Sequence, residues 1–309
     1  MPRIVTLLPS ATEIVCALGF EDQLVGRSHE CDFPPSVTRL PALTDAKFNP
    51  EGTSAEIDRR VKKIVADALS VYRVDAPILR ELRPDVIVTQ SQCEVCAVSE
   101  RDVEAAVAQW LGARPRIVSL APYSLEDVFA DIQRVADALD APSRGVKLVA
   151  SLRARLTAIA DKARNAASRP GLATIEWIDP LMAAGNWMPT LVEMAGATNL
   201  FGKPGEHSPW MKFEELSAKD PDVILISPCG FNMARAAQDL PALTNRPEWP
   251  TLKAVRNRRV YIADGNQYFN RPGPRIAESL EILAEIVHPE LFHFGHEGSG
   301  WQRWQLPAE

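Results

Sequence analysis

Two short stretches gather most of the side chains able to do chemistry. His29-Glu30-Cys31-Asp32-Phe33-Pro34-Pro35 and Gln90-Ser91-Gln92-Cys93-Glu94-Val95-Cys96 hold three of the chain's five cysteines. Cys93-x-x-Cys96 has metal-ligand or redox spacing, and thiolate with imidazole suits zinc. His29, Cys31, Cys93 and Cys96 would complete a four-ligand zinc site if the two loops meet. Glu30 or Glu94 could then act as acid/base, so a zinc- or thiol-dependent enzyme is one reading. The plainer reading is that the thiols pack as small hydrophobes or touch a ligand. A redox pair would need a helix N-terminus to lower one thiol pKa. Ser99, the predicted cap of the next helix, keeps that option open.

The second group is aromatic. Phe48, Tyr72, Trp187, Trp210, Phe231, Tyr268 and Phe269 fall at predicted loops or element ends, beside turn residues such as Gly185-Asn186, Ser208-Pro209 and Gly230. Stiff aromatic surface on loops is what a binding site requires. Trp177 and Tyr261 fall in predicted strands and are expected in the core. Trp187 and Trp210 are expected to face a ligand. A third group, Gln267-Tyr268-Phe269-Asn270-Arg271-Pro272-Gly273-Pro274-Arg275, places Arg271 where it could bind an amide or an acid. The expected ligand-contacting residues are therefore Cys31, Phe48, Tyr72, Gln92, Cys93, Trp187, Trp210, Phe231, Gln267, Phe269 and Arg271. No GxSxG, Walker A or HExxH pattern occurs, so no catalytic residue is assigned. His207 reads as a solvated loop histidine.

These residues need positioning elements, and the chain alternates strand and helix. Residues 3–8, 85–89, 116–120, 172–177, 222–227 and 259–263 read as short buried strands. Residues 10–19, 54–71, 99–111, 124–139, 144–167, 188–195 and 274–287 read as helices, the first capped by Ser10. Such alternation predicts an α/β fold with mainly parallel sheet. Arg83-Pro84-Asp85-Val86-Ile87-Val88 resembles Asp220-Pro221-Asp222-Val223-Ile224-Leu225. A helix closes before each, on Leu18-Gly19 and on Ala195-Gly196, and a basic strand entry follows each. Three features in one order predict two related lobes, the first enlarged by an insertion over 25–70. Between them runs a long amphipathic helix in which Val146, Leu148, Val149, Leu152, Leu156 and Ile159 mark the apolar stripe. The expected divisions are an α/β lobe over 1–142, a backbone helix over 143–168, a second α/β lobe over 169–288 and a surface strap over 289–309. A ligand cleft is expected between the lobes.

Composition removes other classes. The chain has 309 residues, with 34 Lys+Arg against 40 Asp+Glu. A net charge of −6 argues against binding nucleic acid through a broad basic surface. No stretch approaches the roughly 18 apolar residues of a membrane helix. Five cysteines are too few for a disulfide scaffold. Arg3-Ile4-Val5 already reads as a strand, without a secretory pattern before it. A cytoplasmic location follows as the expectation, or a periplasmic one if a leader has been removed. A monomer is expected.

Arg3-Ile4-Val5-Thr6-Leu7-Leu8-Pro9-Ser10-Ala11-Thr12-Glu13-Ile14 resembles the opening of the ABC-transporter substrate-binding proteins for vitamin B12 and iron chelates. These are the class III, or helical-backbone, binding proteins, and the resemblance spans about residues 3–288. Tyr72-x-Val74-Asp75, Pro209-Trp210 and Phe269–Arg275 are most similar to the B12-binding branch. The resemblance implies cobalamin or a related corrinoid or metal chelate as ligand, and no cofactor is required; zinc stays the lesser option that the His29, Cys31, Cys93 and Cys96 spacing leaves open. It implies that Trp210 contacts the ligand and that Arg271 lies near it. Four residues before that arginine the branch has an acid, where this chain has Gln267. The family docks its transporter permease through an acid on each lobe. Glu214 matches the second, and Asp75 is the nearest acid to the first. A cytoplasmic carrier or sensor reusing this fold is a further alternative.

Overall fold

Each predicted strand is a short run rich in β-branched residues, and each becomes a strand. The computed structural model describes residues 1–66, 71–91, 100–107 and 114–305. The chain divides into two compact units, with the boundary inside the long helix between Ser151 and Leu152.

In the first unit, β1 (Ile4–Thr6) leads into α1 (Pro9–Ala17). Proline is suited to the first helical position because the N–H it lacks would be an orphan there. That shifts the helix start, so Leu8 holds the cap position and Ser10 is buried within the helix rather than capping it. The chain leaves α1 through Gly19 at φ +80. Arg144 Nη1 donates to the carbonyl oxygens of Leu18 at 2.9 Å and Gly19 at 3.2 Å. This sets a cation at the helix's negative end. Then follow β2 (Leu24–Arg27), β3 (Thr44–Ala46), α2 (Ser54–Ala66), β4 (Tyr72–Val74), α3 (Ala76–Leu82), β5 (Val86–Gln90), α4 (Glu100–Val107), β6 (Arg116–Leu120) and α5 (Leu125–Ala138). The sheet runs β2-β1-β5-β6 with every pairing parallel, while β3 and β4 form a separate antiparallel pair.

α6 (Pro142–Ala163) is the predicted long helix. Its 22 residues span about 33 Å at 1.5 Å each. Leu152, Leu156, Ile159 and Ala163 are buried, but Val146 is exposed. The apolar stripe therefore begins later than its spacing suggests, because the first turns pack through Gly145 instead. A Cβ there would lie 2.6 Å from that of Ala136.

The second unit contains β7 (Gly171–Trp177), β8 (Met182–Ala183), α7 (Met188–Met194), β9 (Thr198–Asn199), α8 (Phe213–Lys219), β10 (Val223–Ile226), α9 (Met233–Asp239), α10 (Pro241–Thr244), α11 (Lys253–Arg256), β11 (Val260–Ala263), α12 (Ile276–Val287) and β12 (Trp301–Arg303). Its sheet runs β12-β11-β10-β7-β8, with β9 also parallel to β7. The three central strands are parallel and the edge strands β8 and β12 antiparallel.

The repeated Pro-Asp-Val-Ile has a physical basis. In the first unit Asp85 accepts the backbone N–H of Arg3 at 2.7 Å, and its own N–H donates to the Arg3 carbonyl at 2.8 Å. In the second, Asp222 accepts from Gly171 N at 2.7 Å and donates to the Gly171 carbonyl at 2.9 Å. The aspartate thus locks the entry of the central strand onto its neighbour in both units. The residue before each Pro-Asp also lies near a left-handed cap, at Arg83 (φ 44) and at Asp220 (φ 41). Gly196 repeats Gly19 at φ +80.

The C-terminal segment is more than a surface strap. α12 is buried on every side, including Glu281 and Glu285. Buried carboxylates need partners. Glu285 accepts from the backbone of Phe294, Gly295 and His296 and from Trp301 Nε1 at 2.8 Å. Glu281 holds His296 Nε2 at 2.9 Å and Arg155 of α6 at 2.8 Å. Phe292 and Trp301 are buried, and β12 extends the sheet.

Candidate functional site

In a parallel sheet, ligands collect at the carboxyl ends of the strands. In the second unit β7 ends on Glu176-Trp177, β10 leads into Ser227–Phe231, and β11 leads into Asp264–Asn270. Trp177 and Phe231 pack with ring centroids 5.2 Å apart and planes tilted by 50°, and the Arg235 guanidinium lies 4.2 Å over Phe231. Trp177 is thus half-buried at the strand end rather than in the core, whereas Tyr261 is in the core against Trp301.

Backbone hydrogen bonds zip the segment after β7 to the loop before α8. Asn186 N donates to Glu206 O at 2.7 Å, Gly205 N to Asn186 O at 3.0 Å, Ala183 N to Pro209 O at 3.0 Å and Met211 N to Leu181 O at 2.9 Å. A side chain at Gly185 would meet the Ser208 backbone at 2.6 Å, which is why glycine stands there. This locked ribbon carries Trp210, bridged to Met182 and 54% exposed. Trp187 has the opposite fate. It precedes α7 and is buried, and its indole N–H has no hydrogen-bond partner among the described residues.

Beneath the ribbon lies a carboxyl that sequence reasoning missed. Ser208 Oγ sits 3.0 Å from both oxygens of Glu176 and itself accepts Gly185 N–H at 3.1 Å. Glu176 keeps part of its surface exposed. Withdrawal from water nevertheless pushes its carboxyl up to about 7, against the pull of Ser208, His207 and the Gly185 N–H. The signal was an acidic residue closing an otherwise apolar parallel strand, Ala173-Thr174-Ile175-Glu176.

The Gln267–Arg275 group folds largely on itself. Asp264 accepts Gln267 N at 2.8 Å, and Asn270 Nδ2 donates to Ser227 O at 3.1 Å. Gly265 is pressed against Pro228, whose carbonyl oxygen would lie 2.1 Å from an added Cβ. Arg271 is buried and donates to Asn266 Oδ1 at 3.1 Å. Gln267 accepts from Arg275 at 3.0 Å. Phe269 is 1% exposed, so it belongs to the core and has no surface to offer a ligand.

In the first unit, Cys31 is 1% exposed, and its sulfur accepts from Thr12 Oγ1 at 2.9 Å. Thr12 in turn meets Thr6 at 2.6 Å. That environment is the packing role. His29 Nδ1 meets Thr44 Oγ1 at 2.8 Å, and its ring centroid lies 5.6 Å from that of Tyr72. Burial holds the His29 pKa below its ordinary value. Tyr72 donates to Glu30 at 3.2 Å, and Phe48 packs half-buried on the first unit's core. Gln92, Cys93 and Cys96 lie outside the described residues. Among the described residues no three His, Cys, Asp or Glu side chains are grouped as a metal site. Asp75 caps α3, accepting from Ile78 N at 3.0 Å. Glu214 is exposed in the first turn of α8, beside a hollow of about 320 Å³ that includes Phe213 and Glu248. A larger hollow in the second unit, about 700 Å³, lies between the end of α6 and α7 and contains none of the expected ligand residues.

Residues 4–266 match the family described as periplasmic binding protein. The chain belongs to the periplasmic binding protein family. It is 23% identical over 295 residues to an uncharacterised ABC transporter substrate-binding lipoprotein of Bacillus subtilis, covering 94% of this chain and 81% of that protein. It is 22% identical over 288 residues to a vitamin B12-binding protein of Vibrio parahaemolyticus, covering 92% and 88%. A periplasmic heme-binding protein from Pseudomonas aeruginosa superposes with TM-score 0.73 at 21% identity, covering 100% of both chains. The periplasmic vitamin B12 binding protein of Vibrio cholerae superposes with TM-score 0.66 at 19% identity, covering 93% of this chain and 96% of that one.

This periplasmic binding protein is thus a substrate-binding component of ABC-type uptake and not an enzyme. The zinc- or thiol-enzyme reading falls with that. The cytoplasmic location is corrected as well, since the relatives are a substrate-binding lipoprotein and periplasmic proteins. The first residues of the binding protein's fold say where the fold starts and nothing about its compartment. No helix among the described residues is long and apolar enough to cross a membrane.

Proposed function

We propose that this chain captures cobalamin or a related corrinoid and delivers it to an ABC permease. The observation that carries the reading is Trp210, a large indole presented to solvent by a backbone-locked ribbon rather than a loose loop. A flat, apolar macrocycle gains most from such a stiff aromatic surface. The tilted Trp177–Phe231 pair supplies a second one at the neighbouring strand ends. Relatives named vitamin B12-binding proteins, matched over 92% of the chain, support the corrinoid. Asp75 and Glu214, both exposed, are the acids we assign to permease docking.

Heme is the second reading. Solved structures titled as heme-binding share the fold. The first unit also holds His29, a neutral imidazole at physiological pH, beside Tyr72. Both side chains are of types that ligate iron.

Titration with cyanocobalamin and with hemin, read by tryptophan quenching and chelate absorbance, tests both readings. Saturable cobalamin binding is expected. Trp210→Ala should weaken it by about 2 kcal/mol, roughly thirtyfold. No saturable change with any corrinoid overturns the proposal.

A further inference from the structure

We propose that Glu176 is a specificity-determining ligand contact, its carboxylate accepting a hydrogen bond from an amide or amine on the rim of the bound chelate. The inference rests on the chelate-binding reading above and assigns a polar selector to that site.

The geometry comes first. Glu176 is the penultimate residue of β7 at the carboxyl end of the sheet, next to the tilted Trp177–Phe231 pair and under the ribbon that carries Trp210. Its backbone carbonyl accepts from Cys229 N at 3.1 Å, which fixes the strand end to the loop after β10. One hydroxyl, Ser208 Oγ, contacts both carboxyl oxygens. A hydroxyl has one proton, so at any moment it can donate to one oxygen only. An ionised carboxylate has about four acceptor sites. Ser208 and the Gly185 N–H together fill only part of that capacity, and the residue as a whole keeps part of its surface exposed beneath the ribbon.

The chemistry then discriminates between chelates. A corrinoid carries amide side chains, whose N–H groups suit a carboxylate acceptor. A porphyrin of the heme type carries carboxylates, which a second carboxylate repels. The charge on Glu176 therefore favours the amide-rimmed ligand and disfavours the acidic one. Withdrawal from water raises the carboxyl to about 7, so the selector changes charge near neutrality. Among the described residues, Ser208, His207 and the Gly185 N–H act on it. His207 on the ribbon acts on it electrostatically. Glu206 is paired with Lys203 at the ribbon's tip, Arg235 is stacked on Phe231, and Cys229 meets it through the backbone.

The test measures affinity for cyanocobalamin and hemin from pH 6 to 8. Cyanocobalamin itself does not titrate there. For the unmodified protein, cobalamin affinity should rise with pH and hemin affinity should fall. Glu176→Gln should flatten both profiles and weaken cobalamin binding at pH 8 by about tenfold. Ser208→Ala keeps the carboxyl but removes the bond that favours its charged form, so the midpoint should move to higher pH. This second variant decides the matter if Glu176→Gln fails to fold. His207→Gln removes the imidazole that acts on Glu176 electrostatically and should leave the pH dependence in place. Flat profiles for the unmodified protein, unaltered profiles in Glu176→Gln, or an unmoved midpoint in Ser208→Ala overturn this inference and leave the corrinoid reading standing. Binding of neither chelate at any pH overturns that reading, and this inference with it.

Discussion

Removing the His296 imidazole should cost stability only within a defined pH window. His296 Nε2 lies 2.9 Å from Glu281 Oε2, with the two side chains 16% and 9% exposed. The Glu281 bond raises the His296 pKa above 6.5, although burial opposes it. For Glu281, burial alone would raise the pKa, but the bonds from His296 and Arg155 outweigh it and hold the carboxyl below 4.5. The signs follow. A raised histidine contributes stability that is full below 6.5 and is lost as pH climbs through the folded value. A lowered glutamate contributes stability that is full above 4.5 and is lost as pH falls through its folded value. The pair therefore contributes most between these two limits. A charge-assisted hydrogen bond contributes about 1.5–3 kcal/mol when buried. Partial solvent access at His296 reduces that to about 1–2 kcal/mol. His296→Gln leaves Glu281 paired with Arg155, so no orphan charge inflates the result. The assay is urea unfolding of both proteins at pH 5.5, 7 and 8.5, read by tryptophan emission. The expected loss is about 1–2 kcal/mol at pH 5.5, shrinking toward zero at pH 8.5. A pH-independent loss would refute the linkage and leave only packing as the cause.

Two other perturbations follow from backbone geometry. Asp85→Ala and Asp222→Ala remove equivalent carboxylate-to-backbone bonds, so each should cost about 1–2 kcal/mol in denaturant unfolding. Asp222 also pairs with Lys253 at the exposed surface, a contact of small weight, so a difference much larger than that would mean the locks are not equivalent. Gly265→Ala drives a Cβ against the Pro228 carbonyl oxygen at 2.1 Å, so the loops after β10 and β11 must part. The expected cost is about 1–3 kcal/mol with weakened chelate binding, by the same urea and titration measurements, and unchanged stability would show that the loops yield freely.

The central strands were legible because fully buried parallel strands are near-continuous apolar runs, and Ile4-Val5-Thr6 or Val223-Ile224-Leu225-Ile226 admit no other reading. The long helix was legible from Leu152, Leu156 and Ile159. What escaped was held by backbone rather than by side-chain pattern. β8 and β9 have two residues each, and the ribbon under Trp210 is a set of main-chain bonds with no residue signature beyond Gly185. Residue type also does not separate Phe269 from Trp210. Both are aromatics beside turns, yet one is core and the other exposed, and only the pairing of Trp210 with Met182 decides it. Glu176 was passed over because one acid at a strand end looks like solvation until Ser208 is seen across it.

The two units share their strand locks and left-handed caps, so these features serve folding rather than recognition. Recognition must reside where the units differ. In the first, the added segments are the β3–β4 pair and α2, bringing His29, Tyr72 and Phe48 onto or beside that pair. In the second, the addition is the zipped ribbon with Trp210 outward and Glu176 beneath. Ser208 belongs to this second set. It ties the exposed indole's loop to the one carboxyl there whose charge changes near neutral pH. Main-chain bonds set the position of the aromatic and the Ser208 hydroxyl favours the charge of the acid, so Ser208→Ala should disturb the titration of Glu176, whereas Trp210→Ala should disturb only the contact area.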